Sequence, residues 1–409
     1  MNSIDARQFF TSEAIENPYP LYAKMRALSP VCAIGDTGAF LVGTKAAVEE
    51  ALKRHEDFSA NLKAMLVCGE DDKPYIFNLA QAGNANDVIA TADEPDHAVH
   101  RRLMMPPLKA SRISELEGQL REFAAERVAG LKRAGGGDIC AMLSEPLPAY
   151  VVIRLLDLGD DSLQAVQRWA MMGGDFLAGR LSEAEMTHIF TETLALHDYL
   201  SRHFDALAER ALEDRGNSLT ATLLGGVEEG LISREQAIGI LIILFGAAGE
   251  STASLLGCAI RRLAINTPLQ QQLRETPALI APFVEEVLRL ESPFKFHYRH
   301  VKKDTTLCGT SLKAGNILLL SWASANRDPA VWEEPDTLRL DRVRGDRHFG
   351  FGYGIHFCIG APLARLEVCV AIEELLQQTS TFELDPQSPP VFAPSIFVRR
   401  LQQLRLRIS

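Results

Sequence analysis

Phe351-Gly352-Tyr353-Gly354-Ile355-His356-Phe357-Cys358-Ile359-Gly360 is the stretch on which the reading of this chain turns. Glycines at 350, 352, 354 and 360 permit tight, positive-φ turns and the close approach of a flat ligand. Cys358 stands just before APLARLEVCVAIEELL, whose apolar spacing predicts a strong helix over 361–378. The unpaired amide N–H groups and positive end of such a helix stabilise a thiolate. An arbitrary cysteine more often packs as a small hydrophobe, and a glycine-rich loop can instead cradle a phosphate. Here the glycines make GxGxG rather than GxGxxG, no clear βαβ unit surrounds them, and the GxGxHxCxG spacing favours a ligating cysteine.

Composition sets the frame around that loop. At 409 residues, length alone would suggest roughly two or three domains, but no linker divides the chain, so one domain over 1–409 is expected. Hydrophobic residues at 47% and charged residues at 23% are ordinary for a globular protein. The opening MNSIDARQFF lacks the basic-then-apolar order of a signal peptide. The longest apolar stretch, Ala237 to Gly249, meets Glu250 and is too short to span a bilayer, so no membrane role is expected. Cys32, Cys68, Cys140, Cys258, Cys308, Cys358 and Cys369 are odd in number and never spaced CxxC. That argues against a disulfide framework or zinc site and for a reducing cytoplasm. A net charge of -11 argues against nucleic acid as a partner.

Periodicity reads as mostly helical with short strands near the ends, and no repeat. Helices are predicted at 17–28, 45–57, 97–132, 146–157, 161–173, 183–214, 233–265 and 277–291, with β-prone pieces at 37–43 and 304–320. Residues 61–91 lose periodicity and read as a long functional loop. An irregular, Pro- and Arg-rich meander is expected over 326–347.

Three further segments carry polar groups in suggestive places. His97 and Arg101 are i,i+4 on a helix beginning near Pro95, a stripe suited to a carboxylate or simply an exposed basic face. Glu286 and Arg289 share a helix face and can pair, as many surface residues do. Phe245-Gly246-Ala247-Ala248-Gly249-Glu250-Ser251-Thr252 places small residues, an acid and hydroxyls inside an apolar helix. Those polar groups need partners or a function there, though mid-helix hydroxyls often only bond back to the preceding turn.

FGYGIHFCIG closely resembles the haem-binding loop of cytochrome P-450 monooxygenases, and the other segments follow that family's order over nearly the whole chain. The resemblance implies a mainly α fold with small β-sheets (α+β), a triangular helical prism around a buried haem. Cys358 would be the axial thiolate ligand to the iron, a strong donor that favours O–O cleavage. His97, Arg101, Arg299 and His356 would hold the propionates of heme b, and Glu286, Arg289 and Arg342 would brace the scaffold. Glu250, Ser251 and Thr252 would supply protons on the O2 side, although the segment departs from the family's small–Gly–x–acid–Thr pattern. With Glu250 as the acid, Ser251 replaces the Thr and Ala248 the Gly. If Gly249 and Thr252 keep the family places, Ser251 stands where the acid belongs. The first register is preferred, because an ionisable group exchanges protons with solvent; the choice between Ser251 and Thr252 stays open.

The implied reaction inserts one atom of O2 into a hydrophobic small molecule. No flavin or iron–sulfur segment is visible, so electrons would come from a separate ferredoxin with its reductase, the enzyme itself being a monomer. Arg344, Arg347, His348 and Arg365, with Arg101, Arg102, Lys109 and Arg112, form either a docking patch for that donor or a plain solvated face. Met65, Leu66, Ala247, Ala248, Phe294, Phe296, Ile396 and Phe397 are candidate pocket residues or core packing. Lys295 and His297 add polarity, to receive an acidic group or, for His297, a propionate. The competing readings are a peroxide-driven or isomerase-type enzyme on the same fold, and a non-enzymatic haem sensor.

Overall fold

Ser233 starts the longest helix. Its hydroxyl accepts from Gln236 N–H (3.1 Å) while its own N–H donates to Gln236 Oε1 (2.8 Å), a reciprocal cap. In this computed structural model, which describes residues 3–79, 87–159, 162–180, 182–342 and 348–409, the helix then runs Arg234–Leu244. It widens into a π-helical turn over Phe245–Glu250 and resumes over Ser251–Ala264. By length and composition it is apolar enough to cross a bilayer. Its apolar surface is covered by protein, however. The first half (Ile238, Leu241, Leu244, Phe245) packs with Val152, Trp169, Leu200 and Leu223. The second half (Leu256, Ala259, Ile260, Leu263) packs with Leu120, Phe283, Val287, Val368 and Leu375. Each fully buried leucine here is worth about 1.5–3 kcal/mol. The helix is thus the shared spine of two helical cores, and the cysteine helix Ala361–Gln378 belongs to the second.

Beside the helices lies a six-stranded sheet in the order Ser3–Ile4, Val31–Ile34, Ala39–Val42, Ile317–Leu320, His297–Val301, Phe58–Ser59. Its centre pairs Ile317–Leu320 parallel to Ala39–Val42 and antiparallel to His297–Val301, with Leu318 opposite Arg299 and Leu320 opposite His297. Two residues apart on one strand, His297 and Arg299 share a face of the sheet.

The structure corrects several expectations. Within the stretch 61–91 expected to be a long loop, Ala64–Cys68 and Pro74–Asn78 form an antiparallel hairpin turned by GEDDK, with Asp72 at φ 57°, while 80–86 lie outside the described residues. Met65 and Leu66 are buried while the second strand is mostly half-exposed, and this one-sided burial hid its alternation. The single helix foreseen over 97–132 is broken at Pro106-Pro107 into Asp96–Met104 and Ala110–Arg133, since proline lacks the N–H an uninterrupted helix needs. The helix expected over 183–214 ends at Ala208, and the β region of 304–320 extends back to include His297–Val301. Helices at Leu219–Glu228 and Thr267–Glu275 were not foreseen.

Two buried charge networks tie the helices together. In the first, Arg289, with no exposed surface, donates to both oxygens of Glu286 (2.8 and 2.9 Å) and to the carbonyls of Asn326, Pro335 and Thr337. Arg342 Nε also reaches Glu286 Oε2 at 3.0 Å, so the expected trio is assembled. In the second, Glu291 accepts from Arg262 (2.6 Å), Arg399 (3.1 Å) and Tyr19 (3.1 Å), joining the central helix to both ends of the chain. Burial raises the Glu291 carboxyl, but Arg262, Arg399 and Arg327 outweigh it and hold it at about 2. A folded pKa below the unfolded value of about 4.3 stabilises the fold above that pH and ceases to do so as pH falls towards about 2. Urea unfolding midpoints should therefore drop between about pH 4 and pH 2, and Glu291→Gln should flatten that drop while lowering stability near neutrality. An unchanged slope in the variant would remove Glu291 from the account.

Candidate functional site

The cysteine loop is folded by its own backbone. Gly352 and Gly354 take φ of 68° and 72°, and the amide of Cys358 donates to Phe351 O at 2.9 Å. Cys358 is thereby held, half-buried, at the threshold of Ala361–Gln378. Burial raises its thiol above the ordinary value, while the amides of Gly360 and Ala361 and the charges of Arg101 and Arg365 pull it back towards thiolate. This is the donor-rich environment expected of a ligating sulfur. Of the other cysteines, Cys32, Cys68, Cys140 and Cys258 are buried, Cys369 is half-buried and Cys308 is exposed.

Around the loop the structure gathers donors, of which His97 has Glu94 and Arg365 has Glu285 as partners. The His97 and His356 rings lie 4.1 Å apart, and Arg101 donates to Phe357 O at 2.8 Å. His97 Nδ1 lies 3.1 Å from Glu94 Oε1. Arg299 is buried and donates to the carbonyl of Tyr298 at 2.8 Å. Among the described residues no carboxylate lies within ion-pair reach of Arg299 or Arg101. Burial, only partly opposed by Asp93, brings Arg299 down to about 10. Burial and the Arg299 charge bring His356 down to about 2, and its Nδ1 is buried without a partner. A buried, unpaired guanidinium beside an unsatisfied imidazole costs several kcal/mol unless an anion arrives. The carboxylates of a haem are such an anion, so the residues present fit the group. His297, two residues before Arg299, joins this cluster and was only half read from the sequence. Trp322, whose Nε1–H donates to His297 Nδ1 at 2.7 Å, was missed because it lies 25 positions away.

On the central helix the structure separates residues that the sequence left grouped. Ala247 is exposed and Ser251 half-buried, one turn apart, with Ser251 Oγ donating to Ala247 O at 2.6 Å. Gly249, Glu250 and Thr252 are buried on other faces. The carboxylate of Glu250 therefore does not share the open face: it enters a notch against Leu163–Phe176, where a Cβ on Gly174 would stand 2.1 Å from Oε2. There Arg400 Nε donates to Glu250 Oε1 (3.0 Å), its Nη2 to Asp175 Oδ1 (3.0 Å), and Glu145 lies 3.8 Å from its Nη1. With three carboxylates around one guanidinium, burial prevails over Arg400 and raises Glu250 to about 8. Asp175 and Glu145 are also raised, first by burial. The cluster retains a proton near neutrality. Arg400 and Asp175 were not singled out from the sequence, and nothing in their local spacing marks them.

The apolar candidates fall in one cluster. Met65, Leu66, Phe296, Ile396 and Phe397 are buried together, with Phe294 half-buried and stacked on Phe397 at 4.9 Å between centroids. Phe296 has no exposed surface and backs Phe397, whereas Ala247, Ala248 and Phe294 keep some. Lys295 points into the core, donating to Ser395 O at 2.6 Å, and is not available to a ligand. A cavity of about 600 Å³ opens beside this cluster among Phe10, Cys68, Ala178, Arg180 and Pro394, with Arg180 tied to Asp72 at 2.7 Å.

The basic patch is partly consumed internally. Arg365 and His348 both engage Glu285, at 2.6 and 3.1 Å, and Arg112 engages Glu115 at 2.5 Å. Arg102 and Lys109 are exposed, while Arg344 and Arg347 lie outside the described residues.

Comparison with known proteins bears on this arrangement. A family model described as Cytochrome P-450 matches residues 186–403. The chain is 38% identical over 409 residues to Cytochrome P-450 144 of Mycobacterium tuberculosis, covering 99% of this chain and 92% of that protein. It is 30% identical to Vitamin D(3) 25-hydroxylase of Pseudonocardia autotrophica, over 91% of this chain and 88% of the relative. The crystal structure of CYP109E1 from Bacillus megaterium in complex with testosterone superposes with a TM-score of 0.84 at 27% identity, covering 97% of this chain and 99% of that one.

Proposed function

The chain belongs to the cytochrome P-450 family, and from that premise we propose that it inserts one oxygen atom of O2 into a C–H or C=C bond of a hydrophobic small molecule, with electrons from a ferredoxin and its reductase. Membership makes it a monooxygenase with haem iron as cofactor, dependent on redox partners and acting on a small molecule. The finer reading takes the haem as heme b and the protein as a cytoplasmic, single-domain monomer. It is carried by one observation: a half-buried cysteine stands at a helix start beside Arg101, Arg299 and His356, none of which has a carboxylate within ion-pair reach among the described residues.

In this reading Cys358 Sγ ligates the iron, and Arg101, Arg299, His97 and His356 hold the two propionates. When bound, the haem would supply the oxygen chemistry, with Cys358 as its strong-donor ligand. Ala247 and Ala248 leave room on the oxygen side, while Phe294 and Phe397 orient an apolar substrate and exclude water. Ser251 is the hydroxyl that presents a proton there, because it alone of Ser251 and Thr252 lies on the open face. Glu250 acts at one remove, keeping a proton that exchanges with solvent through half-exposed Asp175. Glu286, Arg289 and Arg342 brace the scaffold.

Turnover with ferredoxin, reductase and NADH, set against turnover with peroxide alone, tests this proposal, using substrates first chosen by the spin-state shift they induce. Vitamin D3 and testosterone, bound or transformed by the proteins above, are rational first probes. Peroxide-only activity would favour the reductase-independent alternative, and no activity with either would favour a sensor. In the same assay Ser251→Ala should lower product per NADH by about tenfold or more, with Thr252→Ala affected far less. The reverse order would assign the role to Thr252.

A further inference from the structure

We propose that His100 is a pH-sensitive catch: as a neutral imidazole it holds the strained turn over 88–92 closed, and protonation at Nδ1 releases it. Neither His100 nor this turn takes part in the chemistry proposed above.

Ile89 carries the strain. Its φ is 38°, in the left-handed region, where a branched side chain crowds the backbone. Such a conformation persists only where its surroundings enforce it. Here Thr91 N–H donates to Val88 O at 3.0 Å, Val88 N–H donates to Thr91 Oγ1 at 3.2 Å, and Asn61 Nδ2 donates to Thr91 O at 2.9 Å. These contacts fix the two residues that flank the Ile89–Ala90 step. The amide of Ile89 itself is held by a side chain of the following helix, donating to His100 Nδ1 at 3.2 Å.

An amide N–H can only donate, so His100 Nδ1 presents a lone pair and the ring proton sits on Nε2. His100 is fully buried, and its Nε2 has no partner among the described residues. A proton added at Nδ1 would turn the acceptor into a donor facing the Ile89 N–H. It would also leave a buried imidazolium with neither N–H satisfied. Burial opposes that proton most, Asp96 one turn earlier favours it, and His97 opposes it, so the ring lies below its ordinary value. On the same helix Arg101 turns to Phe357 O at 2.8 Å and Arg102 is exposed. Of the elements packed against that helix, Ile89–Thr91 and Pro106–Leu108 carry no charge, and Leu219–Glu228 carries Glu228, which Arg215 engages at 2.7 Å. A value below the free imidazole's, about 6.5, means that the catch holds fully above that pH. It weakens as pH falls from there towards the closed-state value. Val88 and Ile89 share an apolar cluster with Phe245 and border Ala248, so release alters the wall beside the central helix.

The test follows hydrogen exchange of the 88–92 amides in the haem-loaded protein by mass spectrometry, corrected for the intrinsic pH dependence of exchange. Wild-type protection should be flat above about pH 6.5 and fall below it, by at most about tenfold per pH unit, the limit for one proton. His100→Gln can offer its carbonyl to the Ile89 N–H but does not titrate, so it should keep most of the protection and lose the slope. His100→Leu fills the space without an acceptor and should be poorly protected at every pH. Adding Ile89→Gly, which takes a positive φ without strain, should restore part of that loss. A slope that survives in His100→Gln would move the titrating group elsewhere, to His97 first, and overturn the proposal. Flat protection in wild type would do the same. So would an equal slope in the amides of Ala361–Gln378, which would report loosening of the whole protein. Should His100→Leu fail to fold, wild type against His100→Gln still decides.

Discussion

Cys358→Ala removes the red-shifted Soret band of the reduced, CO-treated protein and lowers O2-dependent turnover by about a thousandfold or more. The size follows from chemistry rather than folding. The loop closes through backbone bonds, Cys358 N to Phe351 O at 2.9 Å and Phe357 N to Gly354 O at 3.1 Å, and an alanine keeps both. Far-ultraviolet circular dichroism should therefore be unchanged. What disappears is the only sulfur at the start of the Ala361–Gln378 helix, where the amides of Gly360 and Ala361 favour a thiolate. Cys369 lies further along that helix, where burial lifts its thiol to about 12, so it cannot substitute. Cys369→Ala is the matched control and should keep the band. A band that survives in Cys358→Ala would move the ligand elsewhere.

Arg289→Met should destabilise the protein by about 3–5 kcal/mol, the usual penalty for stranding one partner of a buried ion pair. Against a total stability of about 5–15 kcal/mol, that loss is severe. The methionine fills similar space but leaves Glu286 with only Arg342 and one amide, and removes the Arg289 donor from the carbonyls of Asn326 and Pro335, while Thr337 O keeps Arg342. Equilibrium urea unfolding of the haem-loaded protein gives the number. The double variant Glu286→Leu/Arg289→Met should be less unstable than the sum of its parts, since neither charge is then stranded. Additive effects, or a loss under about 1 kcal/mol, would mean that water repairs the site and the network braces nothing. Because the residues lie away from the donor cluster, the folded fraction should keep its CO band.

Much of this was legible because it is local. Gly352 and Gly354 announce a turn beside the candidate ligand Cys358 within seven positions, and the helix over 361–378 appears where its apolar period places it. His97–Arg101 and Glu286–Arg289 are single-turn spacings. What the sequence hid depends on partners far apart. Trp322 meets His297 across two paired strands, and Arg400 meets Glu250 at a separation of 150 residues. No periodicity encodes such pairs. Ser251 and Thr252 could not be told apart because the π-helical turn at Phe245–Glu250 shifts the angular phase of the helix. The hairpin at Ala64–Cys68 went unread because its continuous apolar run fits a buried helix segment equally well.

Arg399 and Arg400 have a consequence for biosynthesis. Arg399 accepts from Ser254 through its carbonyl and reaches Glu291 and the carbonyl of Glu16 through its guanidinium, while Arg400 neutralises the Glu250 notch. Ser254 and Arg399 are 145 positions apart, so at about 5–20 residues per second the ribosome needs roughly 7 to 30 seconds to supply the second once it has made the first. Throughout that interval the central helix carries an unneutralised acid and an open flank. Synthesis of Arg399 and Arg400 is thus the event that lets the middle of this enzyme close, and chains stopped just before Arg399 would lack the guanidinium groups that Glu250 and Glu291 engage.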